Sequence, residues 1–174
     1  MKHLCLLALL FCGGVLMAGT DIDINGHFAG SKDGDKVPKR WNFNKSIKPV
    51  GSGEVVQVGD KLGVKITNTA KSVAYFSRMV PVKAGEKYEM SCDVTGTGKA
   101  YLAMYLYAEK GAWGGAVSQP AVVLKPGEND LKYTFTIPAE IKGKVPVVAS
   151  FVFYLNGPGE ATYYDVELEK EDIQ

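Results

Sequence analysis

The sequence predicts an all-β protein, a single-domain β-sandwich. Apolar residues recur at every second position, and Val, Thr, Tyr and Phe are plentiful, which is typical of strands that bury one face. Glycine and proline, 20 and 8 among 174 residues, interrupt the chain so often that few stretches suit a helix. Many short strands at regular spacing favour a sandwich of two sheets.

The alternation predicts ten strands, separated by glycine-rich turns such as those at residues 51–53, 96–98 and 157–159. The strands are expected at residues 22–28, 54–58, 62–68, 72–82, 87–95, 99–108, 118–124, 130–137, 145–155 and 161–169.

The first 18 residues have the layout of a secretory signal peptide. A basic start at Lys2 precedes an apolar run over residues 4–17 and small residues at 18–19. The run is shorter than the ~20 residues that span a bilayer, and the alternatives are an N-terminal membrane anchor and lipidation at Cys12. We therefore expect residues 1–18 to be removed and residues 19–174 to be the folded domain. It would be secreted, periplasmic or at the cell surface, with no membrane span after cleavage and no intramolecular disulfide, since only Cys92 remains.

Composition excludes several functions. The chain has 20 basic and 19 acidic residues, and no basic run is longer than residues 39–40, so a nucleic-acid partner is not expected. His3 and His27 are the only histidines. The sequence contains no zinc pattern, phosphate loop or dinucleotide fingerprint. We therefore predict that the protein is not an enzyme.

The segment 99–108 shows which side chains face the core. Its even positions are aliphatic and have no polar atom to satisfy, so we expect them inside. Its odd positions then form a row of tyrosines on the opposite face. The two sets are Leu102, Met104 and Leu106, against Tyr101, Ala103, Tyr105 and Tyr107.

Four short patches resemble the carbohydrate-binding modules of the family 4, 16 and 22 group. They are residues 25–30 (NGHFAG), 38–41 (PKRW), 82–88 (VKAGEKY) and 163–168 (YYDVEL), in the family's order. The resemblance implies a jelly-roll sandwich, galactose-binding-domain-like, whose partner is a polysaccharide or glycan.

The resemblance also implies a structural calcium between the opening segment and an aspartate of the last strand, here Asp165. The glutamate expected after Phe28 is Ala29, and Asp21, Asp23 and Asn25 are the candidates to replace it. Calcium needs several oxygen ligands. The alternative is that Asp165 caps a strand end or pairs with a surface lysine.

Sugar recognition needs aromatic rings for the flat faces of pyranoses and polar groups for their hydroxyls. The predicted binding surface combines Trp113, in a glycine-rich loop, with the tyrosine row and with polar side chains. Its members are Trp113, Tyr105, Tyr107, Tyr101, Arg78, Tyr154 and Asn156. The alternative function is that of a structural or protein-interaction β-sandwich of the cell envelope or an extracellular assembly, because tyrosine is also enriched at protein interfaces.

Overall fold

A computed structural model describes residues 19–43, 51–69, 73–76 and 79–171. The predicted signal peptide, residues 1–18, and the site candidate Arg78 lie outside the described residues. No helix within the described ranges is long and apolar enough to cross a membrane.

The described residues form two antiparallel sheets, which confirms the predicted β-sandwich. The strands are β1 (Gly19–Asp21), β2 (Asn42–Phe43), β3 (Gly51–Val58), β4 (Lys61–Asn68), β5 (Val73–Phe76), β6 (Val80–Pro81), β7 (Lys87–Gly96), β8 (Lys99–Tyr107), β9 (Trp113–Ser118), β10 (Val122–Val123), β11 (Glu128–Thr136), β12 (Val148–Asn156) and β13 (Gly159–Glu171). A single 3-10 turn, Glu109–Gly111, lies between β8 and β9.

The back sheet has the order β11-β7-β13-β4-β3, with β1 added alongside β13. The front sheet has the order β10-β8-β12-β5-β2, and β9 and β6 pair with β8 and β12. Neighbours in these sheets are often distant in sequence. This topology places β8, β9 and β12 side by side in the front sheet.

The core fills the space between the sheets. Leu102, Met104 and Leu106 are completely buried in it, as the alternation predicts. Trp41 packs against three aromatic rings, with centroid distances of 5.5 Å to Phe28, 6.3 Å to Phe151 and 5.1 Å to Phe153. Tilted and edge-on pairs of this kind add about 0.5–1.5 kcal/mol each beyond the area they bury.

The prediction of a strand at residues 22–28 is wrong. After β1 the chain makes an irregular turn, because Asn25 and Phe28 adopt φ values of 60° and 56° that no strand tolerates. The Asn25 amide nitrogen donates to the carbonyl of Lys39 at 2.8 Å, and the Trp41 indole donates to the carbonyl of Asn25 at 3.0 Å. These bonds hold a compact loop against the end of the sandwich.

The sequence predicts no strand at β1 or β2, and the remaining predicted strands lie near observed ones, with two differences. The segment 72–82 contains two short strands, β5 and β6, instead of one. The segment 118–124 contains only the short β10, because the pairing with β8 begins earlier, in β9.

Candidate functional site

The outer face of β8 carries the tyrosine row. Tyr101, Tyr105 and Tyr107 are half-buried and point away from the main core, while the aliphatic residues between them point into it. The sequence analysis predicts this division correctly.

β12 supplies the middle of the same face. Tyr154 lies opposite Tyr101, and Ser150 lies opposite Tyr105. The Tyr101 and Tyr154 rings are stacked almost parallel, with centroids 4.7 Å apart and planes at 8°. Since Tyr154 is only 4% exposed, it acts as the floor on which Tyr101 lies. The buried Tyr163 hydroxyl donates to the Tyr154 carbonyl at 2.6 Å and fixes the backbone there.

Trp113 reaches this face through a one-residue irregularity. Tyr105 pairs with Ala116 and Leu106 with Gly115, but Tyr107 pairs with Trp113, so Gly114 is an extra residue. In a regular strand Trp113 would lie opposite Ala108, and its side chain would point to the core side of the sheet. The extra residue of the β-bulge turns the side chain to the opposite side, and Trp113 therefore lies beside the tyrosines. The sequence analysis places Trp113 in a loop, which is wrong, because Trp113 begins β9.

A hairpin behind the bulge supports it. Ile141 and Lys144 pair through both backbone groups, and the Lys144 ammonium donates to the Trp113 carbonyl at 2.8 Å. A Cβ on Gly115 would come within 2.4 Å of the Ile141 Cδ1 atom. The Ile141 side chain therefore occupies the space that the absent side chain of Gly115 leaves.

We call five side chains the aromatic face: Tyr101, Tyr105, Tyr107, Trp113 and Tyr154. Trp113 stands edge-on to Tyr105 at 5.0 Å and to Tyr107 at 5.6 Å, and Tyr105 lies 6.2 Å from Tyr154. The rings thus form an unbroken series across β9, β8 and β12. From Tyr101 to Tyr107 the strand extends about 20 Å, at ~3.3 Å per residue.

Three phenols of the aromatic face remain neutral over a wide pH range. Burial raises the pKa of Tyr101, Tyr105 and Tyr107. The pKa of Tyr105 rises to about 12, first through burial and then through the neighbouring phenols of Tyr101 and Tyr107. A neutral phenol both donates and accepts hydrogen bonds.

Two further features belong to this region. Asn156 is exposed at the end of β12, opposite Lys99, at the rim of the face. Met79 is 52% exposed, and its Sδ accepts a hydrogen bond from the Ser150 hydroxyl at 3.7 Å. The sequence does not indicate that Met79 belongs to this region, because the alternation of apolar residues does not continue through the short β6. The sequence analysis also misses Ile141 and Lys144, which only tertiary structure brings to Trp113.

The back sheet carries a separate groove of about 800 Å³ on its outer surface. Asp165 lies in it at a bulge of β13 with φ 46°. Its carboxylate is bound by the Lys61 ammonium and faces the His27 Nδ1 at 3.4 Å. The charged residues that line the groove are His27, Asp60, Lys61, Asp93, Asp130, Asp165 and Glu167.

The residues present do not fit the calcium site that the resemblance implies. Asp165 is engaged by Lys61, and the Asn25 amide presents its nitrogen to two carbonyls, Lys39 at 2.8 Å and Ala29 at 3.4 Å. Across the described ranges, no group of three or more His, Cys, Asp or Glu side chains is arranged to hold a metal ion. Calcium prefers six to eight oxygen ligands, and an amide N–H cannot be one.

No protein-family model matches the chain, and no curated protein sequence matches it either. Solved structures nevertheless share the fold. A Stig cyclase from Fischerella sp. TAU, solved with a pyrrolidinylidene indole, has a TM-score of 0.67 at 11% identity, over 90% of this chain and 100% of the cyclase. The family 11 carbohydrate-binding module of Lic26A-Cel5E from Clostridium thermocellum has a TM-score of 0.60 at 11% identity, over 87% of this chain and 94% of the module.

A third similar structure is the N-terminal part of xylanase 10B from Clostridium thermocellum, which contains CBM22-1 and GH10 modules and was solved with xylohexaose. Its TM-score is 0.58 at 15% identity, over 80% of this chain and 28% of the xylanase chain. The chain spans 21% of a bacteriophage CBA120 tailspike protein and 27% of an α-L-arabinofuranosidase that it also matches.

These similarities show the fold alone. They confirm the predicted resemblance to the β-sandwich of carbohydrate-binding modules for families 4 and 22, and family 11, which the sequence motifs do not indicate, shares the same sandwich. Because cyclases and larger enzymes contain the same sandwich, function has to be argued from the site.

Proposed function

We propose that this chain is an exported, non-catalytic protein that binds a polysaccharide or glycan on the aromatic face. The observation that carries the proposal is the unbroken series of five aromatic side chains on the outer face of the front sheet, where Trp113 and three half-buried tyrosines surround the buried Tyr154. Side chains of this size normally lie in the core, and an exposed group of them is typical of a binding surface. The fold is one that carbohydrate-binding modules use.

The binding mechanism combines stacking with hydrogen bonding. Pyranose rings lie on the open faces of Trp113 and of the tyrosines, and the neutral phenols exchange hydrogen bonds with sugar hydroxyls. Asn156 at the rim, and Arg78, orient further hydroxyls. The length of the row favours several consecutive sugar units of a chain over a single monosaccharide.

The chemistry of the face favours binding over catalysis. General acid–base catalysis requires a group whose pKa lies near the working pH. Tyr101, Tyr105 and Tyr107 on this face are phenols whose pKa burial raises further. His27 lines the groove of the back sheet instead.

Native affinity electrophoresis tests the proposal. The chain is run through gels cast with soluble glucans, xylans and mannans, and we expect one class to retard it. Trp113 is 45% exposed, and a sugar that covers one side of the indole removes roughly 50 Å² from water. At about 25 cal/mol per Å², Trp113→Ala should weaken binding about tenfold.

Tyr133→Ala is the matched control. Tyr133 is also half-buried and stacks on an aromatic ring, Phe135 at 5.9 Å, but it belongs to the back sheet. It should leave retardation unchanged. If no polysaccharide retards the chain, the proposal fails. Concentration-dependent self-association that Trp113→Ala abolishes would instead support the protein-interaction function.

A further inference from the structure

The opening segment, residues 22–30, is docked on β13 by close backbone contact. A Cβ on Gly26 would lie 1.6 Å from the Val166 carbonyl oxygen, so only glycine fits there. The Val166 amide donates to the Gly26 carbonyl at 3.4 Å, and Phe28 is completely buried beyond it. This junction joins the start of the domain to its last strand.

Side chains of the protein engage two of the carboxylates that are candidate calcium ligands at this junction. Lys61, the first residue of β4, binds Asp165 on β13, and His27 from the opening segment lies on the other oxygen of the same carboxylate. Arg40 binds Asp23 at 2.9 Å. Asp165 and Asp23 therefore each have a cationic side chain of the protein as a partner.

Hydrogen-bond donors also engage the remaining oxygens. Asp23 accepts the backbone N–H of Asn25 at 3.0 Å. The carbonyls of Lys39 and Ala29 accept the Asn25 amide, although backbone carbonyls are common calcium ligands. Opposite charge and hydrogen bonding also raise the pKa of Lys61, and Asp165 is the main cause.

We infer that Lys61, His27 and Arg40 fasten the opening segment in place of a divalent cation, so that this sandwich folds and remains stable without calcium. The inference rests on the contacts of the junction and not on the proposed function, and either can fail alone.

Thermal unfolding of the full chain in calcium and in chelator is the first test. We expect the same Tm in both. An ion at a hundred times its Kd would raise the Tm by roughly 5–10 °C for a domain of this size. A rise of that order in calcium would overturn the inference.

The second test asks whether Lys61 does the fastening. Lys61→Met is compared with Lys132→Met, because the Lys132–Glu89 pair has nearly the same exposure, 57% and 26% against 52% and 23%. The Lys132–Glu89 pair joins β11 to β7 and does not involve Asp165, the carboxylate that His27 of the opening segment faces. Hydrogen exchange is followed at the amides of Phe28 and Val166. We expect exchange at both amides to accelerate in Lys61→Met and not in Lys132→Met. Equal exchange in the two variants would refute the role of Lys61.

Discussion

The packing of Ile141 against the bulge of β9 predicts that a substitution at Gly115 affects both the stability of the fold and the aromatic face. Gly115→Ala places a Cβ 2.4 Å from Cδ1 and 2.8 Å from Cγ1 of Ile141, closer than atoms approach in folded proteins. The Ile141 side chain must rotate, the hairpin at residues 141–144 must move, or the bulge must shift. Overpacking of this kind costs about 1–3 kcal/mol, which corresponds to a fall in Tm of about 2–12 °C.

A double-mutant cycle measures the contact itself. Ile141→Ala removes the atoms that the new Cβ meets, so Gly115→Ala should cost much less in that background, with a coupling energy of about 1–3 kcal/mol. The backbone cost of alanine at a φ of 152° remains in both backgrounds and cancels. Gly127→Ala is the control, because Gly127 also has a positive φ, 91°, with no atom near its Cβ position. It should show no coupling to Ile141.

The assay is thermal or chemical unfolding of the four chains of the cycle, followed by affinity electrophoresis of each. Since Trp113 precedes the bulge directly, Gly115→Ala should also weaken polysaccharide retardation, and Ile141→Ala should restore part of it. If the losses of unfolding free energy in the two single variants simply add up in the double variant, Ile141 does not pack against Gly115 in the bulge.

Two pH titrations complete the predictions. Hydrogen bonds to Lys36 and Lys65, and then their charges, lower the pKa of Glu54 to about 2, so its contribution to stability is present above the ordinary glutamate pKa and is lost as the pH falls towards 2. Carboxyl chemical shifts should give a midpoint near 2 that rises in Lys65→Met, and an ordinary midpoint in the native chain would contradict the ion pairs. For Tyr105 the folded pKa is raised to about 12, so the neutral phenol stabilises the fold below the ordinary tyrosine pKa of ~10, and this contribution is lost as the pH rises to 12. In an absorbance titration of the tyrosines, one step should have its midpoint near pH 12, and Tyr105→Phe should remove that step. The absence of that step in the native chain would show that Tyr105 is not buried.

The sequence predicts the faces of β8 well because the two sets of side chains there differ in chemistry. Leu102, Met104 and Leu106 have no polar atom, whereas each tyrosine carries a hydroxyl that needs a partner.

Other features depend on contacts that a local pattern does not contain. Residues 22–28 alternate like a strand, but the Asn25 amide binds the carbonyl of Lys39, fourteen residues further along, and bends the chain. Gly114 and Gly115 are typical of a loop, yet pairing with β8 and the Ile141 side chain turn them into a bulge within β9. The placement of Trp113 beside the tyrosines therefore follows from long-range structure.

The central strand β12 is buried on both faces, so its register with the neighbouring strands needs a physical cause other than burial. Its two sets of side chains, led by Phe151 and Phe153 on one side and Val152 and Tyr154 on the other, are all buried. Hydrophobicity alone therefore discriminates weakly against a slip of one residue, which would exchange the two sets. Two hydrogen bonds in the interior recognise particular backbone positions instead: Tyr163 binds the carbonyl of Tyr154, and the Asn68 amide binds that of Leu155 at 3.2 Å. A slipped strand would leave both donors buried without acceptors, so the alignment of the central strand, and with it the floor of the aromatic face, depends on two buried polar side chains.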